Sequence, residues 1–173
     1  MNIQGVFEML NRMEADGLIS RYAIGGAVAA TFYLEPVSTL DVDVFIAFKA
    51  KPESIIISPH QIFDYLQKFG CKMEGEHVVI SGWPVQFLPP TGPLIEEALA
   101  RAVEVDIEGI PARVFTAEYL AAIALQTGRA KDKARLLQFI EANALDSSRF
   151  EEIVNRRGLG RQWQKFQQQF LGS

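Results

Sequence analysis

The stretch AIGGAVAATFYLEPVSTLDVDVFI, from Ala23 to Ile46, constrains the fold more than any other part of the chain. A short apolar run ends in two glycines, small residues follow, Pro36 breaks the pattern, and a second apolar run begins with Asp41 and Asp43. Side chains two apart in a strand point to the same face, so these two carboxylates stand side by side while Val42 and Val44 face the other way. Beyond Asp43 the segment is apolar on both faces, as in a central strand of a covered sheet. Like charges held together in a half-buried place are pushed toward protonation unless a cation neutralises them. A divalent ion resolves the conflict. Mg²⁺ is held by one or two carboxylates and completes its shell with water and phosphate oxygens, so Asp41 and Asp43 are candidate ligands for Mg²⁺ or Mn²⁺.

The glycines supply a second half to this site. Gly25-Gly26 lies at a strand-to-helix junction, where backbone without side chains lets a phosphate approach N–H groups at the positive end of a helix. The loop PVSTL adds Ser38 and Thr39, hydroxyls that contact phosphate or cap the turn. Each part also has a plain structural reading: the glycine pair as a tight turn, Asp-Val-Asp as a polar strand end. Their order along the chain is what singles the segment out.

Periodicity assigns the rest. Ile3, Val6, Phe7, Leu10 and Met13 recur at helical spacing, which predicts a helix over Ile3 to Ala15 that stops near Gly17. A strand at Tyr22 to Ile24 precedes the glycines, and the small residues Ala27 to Ala30 predict a helix that runs until Pro36. SPHQIFDYLQKFG reads as a helix with Ser58 as N-cap, Pro59 at its first position and Gly70 as terminator. Short strands follow around Cys71 to Glu74, His77 to Ser81 and Pro84 to Leu88, with Gly75 and Gly82 turning between them. Pro93 to Arg101 reads as a helix, and RAVEVDIEGIPARVF as a hairpin turning at Glu108-Gly109. Helices are then expected near Thr116 to Gln126, Ala130 to Ala142, Ser148 to Arg156 and Leu159 to Phe170. The fold class is therefore α+β: a mixed sheet flanked by helices over about residues 1–115, and a helical part over about 116–173, in one domain.

Composition excludes several alternatives. With 49% apolar and 22% charged residues the 173-residue chain is ordinary for a folded domain. One cysteine, Cys71, allows neither an internal disulfide nor a Cys-based metal cluster, so a reducing cytoplasm is expected. The N-terminus lacks the apolar block of a signal peptide, and nowhere are there ~18 consecutive apolar residues, so no membrane association is expected. A net charge of -4 argues against broad charge-driven nucleic-acid binding. The basic groups near Arg129 to Arg135 and Arg149 to Lys165 read as solvated helix faces. His60 and His77, without metal-ligand spacing, read as structural.

In the residues that carry it, the segment resembles the nucleotidyltransferase superfamily, which shares its fold with DNA polymerase β and aminoglycoside nucleotidyltransferases. The matching features are Gly25 and Gly26 after a strand, a helix, then Asp41 and Asp43 on the next strand, with Thr39 two before the first acid. GIPARVFTAEYLAAIALQTGRAKDKARLLQFIE is similar to the C-terminal part of AbiEii-type abortive-infection toxins and their relatives, whose basic segment matches Arg129, Lys131 and Asp132. Together the two regions cover roughly Ile3 to Glu141. The resemblance implies a nucleotidyltransferase-like sheet and transfer of a nucleoside monophosphate from a nucleoside triphosphate to an unknown acceptor, with RNA or protein in view. It further implies Asp41 and Asp43 on the metal, and Gly25, Gly26, Ser38, Thr39, Arg129 and Lys131 on the nucleotide. A cognate antitoxin is the partner that the second similarity implies.

One position departs from that pattern. Active members carry a third carboxylate on a later strand, and the strand PVQFLPP offers Gln86 instead, an amide that hydrogen-bonds but neither takes a proton nor neutralises a metal. Asp106 replaces it only if its strand lies beside that of Asp41. Glu35 and Glu74 are the remaining acids in view. A second reading follows from Gln86: a member that keeps the fold to bind nucleotide, RNA or a protein partner without turnover.

Overall fold

The computed structural model describes residues 1–36, 38–48 and 59–172. Helix α1, Ile3–Ala15, is capped by the Asn2 side chain, which accepts from the Gln4 N–H at 3.0 Å, and it buries Val6, Phe7, Leu10 and Met13. Strand β1, Arg21–Ile24, leads through Gly25 into α2, Gly26–Ala30. Strand β2, Val42–Ala47, follows, then α3, Pro59–Gln67, and three short strands β3 (Lys72–Glu74), β4 (His77–Ile80) and β5 (Trp83–Leu88). The expected N-cap Ser58 lies outside the described residues. Helix α4, Pro93–Ala100, precedes the hairpin β6 (Val103–Ile107) and β7 (Ile110–Val114). Helices α5 (Ala117–Thr127), α6 (Ala130–Glu141), α7 (Ser147–Arg156) and α8 (Gly160–Phe166) complete the helical part, and α8 runs on as a π-helical turn over Gln167–Leu171.

Among the described residues the strands form one seven-stranded mixed sheet in the order β3-β4-β5-β2-β1-β7-β6. Strand β2 sits at its centre, antiparallel to β1 and parallel to β5. Its burial alternates: Val42, Val44 and Ile46 are fully covered on one face, while Asp43 and Phe45 are half-buried on the other. On that second face α2 packs against β2 and against α5, and α5 also contacts α4, α6, α7 and α8. An α+β fold with a mixed sheet and a helical C-terminal part is what the chain adopts.

Helix α2 is shorter than its small residues predict, ending at Ala30 rather than running to Pro36. Thr31 turns its hydroxyl back onto the Val28 carbonyl at 2.7 Å, competing with the helix ladder. Tyr33 and Leu34 both donate to the Ala30 carbonyl in a closing turn, and the Tyr33 hydroxyl is tied to the Phe115 carbonyl at 3.0 Å.

Candidate active site

The end of β1 and the start of β2 meet at the glycine turn. The Gly25 N–H donates to the Asp43 carbonyl at 2.9 Å, so this residue shapes the bend rather than offering a donor to the cleft. A Cβ on Gly25 would come within 2.6 Å of the Phe45 ring. Gly26 has φ +58°, and a Cβ there would collide with the Asp43 carboxylate. The two glycines therefore let the turn close directly over the acid. Before β2, the Thr39 hydroxyl donates to the Asp41 carbonyl at 3.1 Å and caps the loop, while Ser38 is exposed beside it.

Asp41, Asp43 and Gln86 sit on the floor of one cavity of about 700 Å³. Asp43 and Gln86 are paired positions on the parallel strands β2 and β5, so their side chains emerge side by side. Helix α6 forms one wall, presenting Lys131 and Arg135, four residues apart and hence on one face. Gly26, Ser38 and Thr39 line the rim, and Phe45, Ile95, Phe115, Leu120 and Ile123 make an apolar flank. The Phe45 and Phe115 rings pack at 4.9 Å between centroids. Burial first, and the charge of Asp41 second, push the Asp43 carboxyl above its usual range, with Lys131, Arg135 and His77 pulling against them. Among the described residues no cation forms an ion pair with Asp43.

Two of the expected contacts differ in detail. Arg129 lines the cavity, but its Nε donates to the buried Asp132 at 2.6 Å and its Nη2 to the other oxygen at 3.3 Å, which leaves Lys131 as the less committed cation. His77, read as structural, places Nε2 3.4 Å from an Asp41 oxygen, and with Glu74 it borders a small hollow against that acid. No sequence signal linked His77 to Asp41, because the link depends on strand order. Arg135 was legible only as part of a basic run; its place four residues after Lys131 is the signal that puts it on the same wall.

The position of Asp106 is settled. Its strand β6 lies at the far edge, separated from β2 by β1 and β7, and its carboxylate accepts from the Gly109 N–H at 2.9 Å within the hairpin turn. It does not replace the missing acid. Glu35 is exposed. Of the later basic groups Arg149, Arg156, Arg161 and Lys165 are exposed, as expected of a solvated face, while Arg149 also pairs with Asp146 at 3.6 Å, and Arg156 and the half-buried Arg157 both bind Glu97.

Among the described residues no group of three or more His, Cys, Asp or Glu is placed to hold a metal. Asp41, Asp43 and the Gln86 amide oxygen are nevertheless an all-oxygen donor set of the kind Mg²⁺ accepts, with room before them for water and phosphate oxygens. Among the described residues no helix is long and apolar enough to cross a membrane.

No protein-family model matches the chain, and no curated protein matches it. Solved structures do. The crystal structure of an antigenic nucleotidyltransferase-like protein from Paracoccidioides brasiliensis superposes with TM-score 0.55 at 16% identity, over 80% of this chain and 74% of that one. The crystal structure of ANT(2")-Ia in complex with adenylyl-2"-tobramycin superposes with TM-score 0.55 at 13% identity, over 94% of this chain and 99% of that one. With its acid-bearing central strand and glycine turn, the chain has the nucleotidyltransferase-like fold of these structures.

Proposed function

We propose that the cleft binds a nucleoside triphosphate together with Mg²⁺ or Mn²⁺ and moves the nucleoside monophosphate to an unknown acceptor, with RNA or protein in view. The observation that carries this reading is the convergence of Asp41, Asp43 and Gln86 with Lys131 and Arg135 around one cavity. Asp41 and Asp43 would hold the ion, whose chemistry when bound is to polarise the phosphate oxygens and offset their charge. Lys131 and Arg135 bind the phosphates, Gly26 makes room for the Asp43 carboxylate beside them, and Thr39 holds the loop before Asp41. Arg129 supports the start of α6 through Asp132, and Ser38 stands at the rim. On the apolar flank the half-buried Phe45 and Ile123 suit the face of a nucleobase. Positioning and charge neutralisation carry most of such a transfer, with little covalent work for side chains. A cytoplasmic setting is part of this reading, since nucleoside triphosphates are at hand there.

Gln86 favours a second reading, in which nucleotide, RNA or a protein partner binds without turnover, including the toxin component of a toxin–antitoxin pair. Thermal melts with Mg²⁺ and each of the four nucleoside triphosphates test binding. The expected result is a rise in Tm with at least one of them that Asp43→Ala abolishes, and no rise with any of the four counts against both nucleotide readings. Incubation with labelled triphosphate and cell extract then separates the two. Label on RNA or protein supports transfer, and activity that appears only with Gln86→Glu supports the binding reading.

A further inference from the structure

The metal site itself departs from a pair of ions clamping the reacting phosphate. Where two metals act together they sit about 3.5–4 Å apart and share anionic ligands on both sides. On the β5 side of Asp43 the paired position is Gln86, a neutral amide with no charge to hold a second dication. On the far side of Asp41 stands His77, with its Nε2 at 3.4 Å, a neutral or cationic neighbour rather than an anionic one. Within the cavity the other acid is Asp132, which is bonded to Arg129, and the exposed Glu74 borders a separate hollow beside His77. Across the cavity, Lys131 and Arg135 project from one face of α6 toward the same floor. Two fixed positive charges there repel a further dication and attract phosphate oxygens in its place.

We infer that this cleft takes a single divalent ion on Asp41 and Asp43, and that Lys131 and Arg135 occupy the electrostatic place of a second ion. The inference rests on the nucleotide reading above, and it specifies how the charge of the triphosphate is met: by one exchangeable cation and two built-in ones. It gives Gln86 a definite consequence. The amide sets the metal count of the site.

Equilibrium dialysis against Mn²⁺ and each of the four non-hydrolysable nucleoside triphosphates, counting bound Mn²⁺ and bound nucleotide per chain, tests this without any turnover. The expected result is one Mn²⁺ and one nucleotide per chain, rising to two Mn²⁺ in Gln86→Glu. Two Mn²⁺ per nucleotide in the unaltered protein overturns the single-ion inference and leaves the nucleotide reading standing. No bound Mn²⁺ and no bound nucleotide overturns the nucleotide reading itself. If Gln86→Glu stays at one, Gln86 does not set the count. Should that variant fail to fold, the count in the unaltered protein still decides the inference.

Discussion

Gly26 and Asp43 are one unit at the scale of single residues. The positive φ of Gly26 and the Asp43 oxygen lying where a Cβ would go mean that neither can be described without the other. Gly26→Ala must strain the backbone and displace the carboxylate at once, and a forced left-handed non-glycine residue alone costs about 1–3 kcal/mol. The expected outcome is a lower urea midpoint together with loss of any Tm rise from Mg²⁺ and triphosphate. A variant that keeps both would show that the turn does not seat Asp43. The pairing of Asp41 with Asp43 was legible in the sequence because strand alternation is strict and needs no knowledge of the neighbours. The contact of His77 with Asp41 was not. It depends on β4 and β5 folding back beside β2, a long-range arrangement that leaves no local trace.

Single elements were read well where glycine and proline punctuate the chain and poorly where competing hydrogen bonds decide. The β6–β7 hairpin turns at Glu108-Gly109, where both residues have positive φ, and α5 ends at Gly128 in the left-handed region, as their sequences suggest. Helix α2 forms over its small residues but stops short of Pro36 because the Thr31 hydroxyl and the anchored Tyr33 close it after Ala30. The start of α6 is the element on which the cleft most depends. Asp132, in its first turn, is 5% exposed and takes both Arg129 bonds, so the exposed Arg129 offsets its buried charge, which favours the helix dipole and fixes the wall that carries Lys131 and Arg135. Asp132→Asn keeps the shape and removes the charge. We expect a loss of about 1–2 kcal/mol in chemical denaturation, from the lost charge-assisted bonds, and a smaller triphosphate-induced Tm rise. Unchanged stability would mean that the Arg129 pair is ornamental.

Strand order is a property of the whole molecule, and it is what the sequence leaves open: the α+β class could be read from alternating patterns, whereas the edge position of β6, which removes Asp106 from the site, could not. The same holds for the way the helical part is fastened on. Glu97 of α4 accepts from the Tyr119 hydroxyl of α5 at 2.6 Å and from Arg157 Nε at the end of α7 at 2.6 Å, with Arg156 and Arg157 guanidinium groups closing on it as well. One carboxylate thus joins three helices. Burial alone would raise its pKa, but the hydrogen bonds from Arg156, Tyr119 and Arg157 together outweigh burial and bring it down from 4.5 to about 2. A depressed carboxylate contributes stability in full above its unfolded value of 4.5 and loses it as pH falls toward about 2. The melting temperature of the unaltered protein should therefore drop steeply across that window. In Glu97→Gln, which keeps the shape but cannot ionise, the protein should be less stable by about 2 kcal/mol at neutral pH, and the gap to the unaltered protein should close as the pH approaches 2. A gap that stays constant with pH would place the stabilising effect of Glu97 in its packing rather than in its charge, and the junction of α4, α5 and α7 would then rest on apolar contact alone.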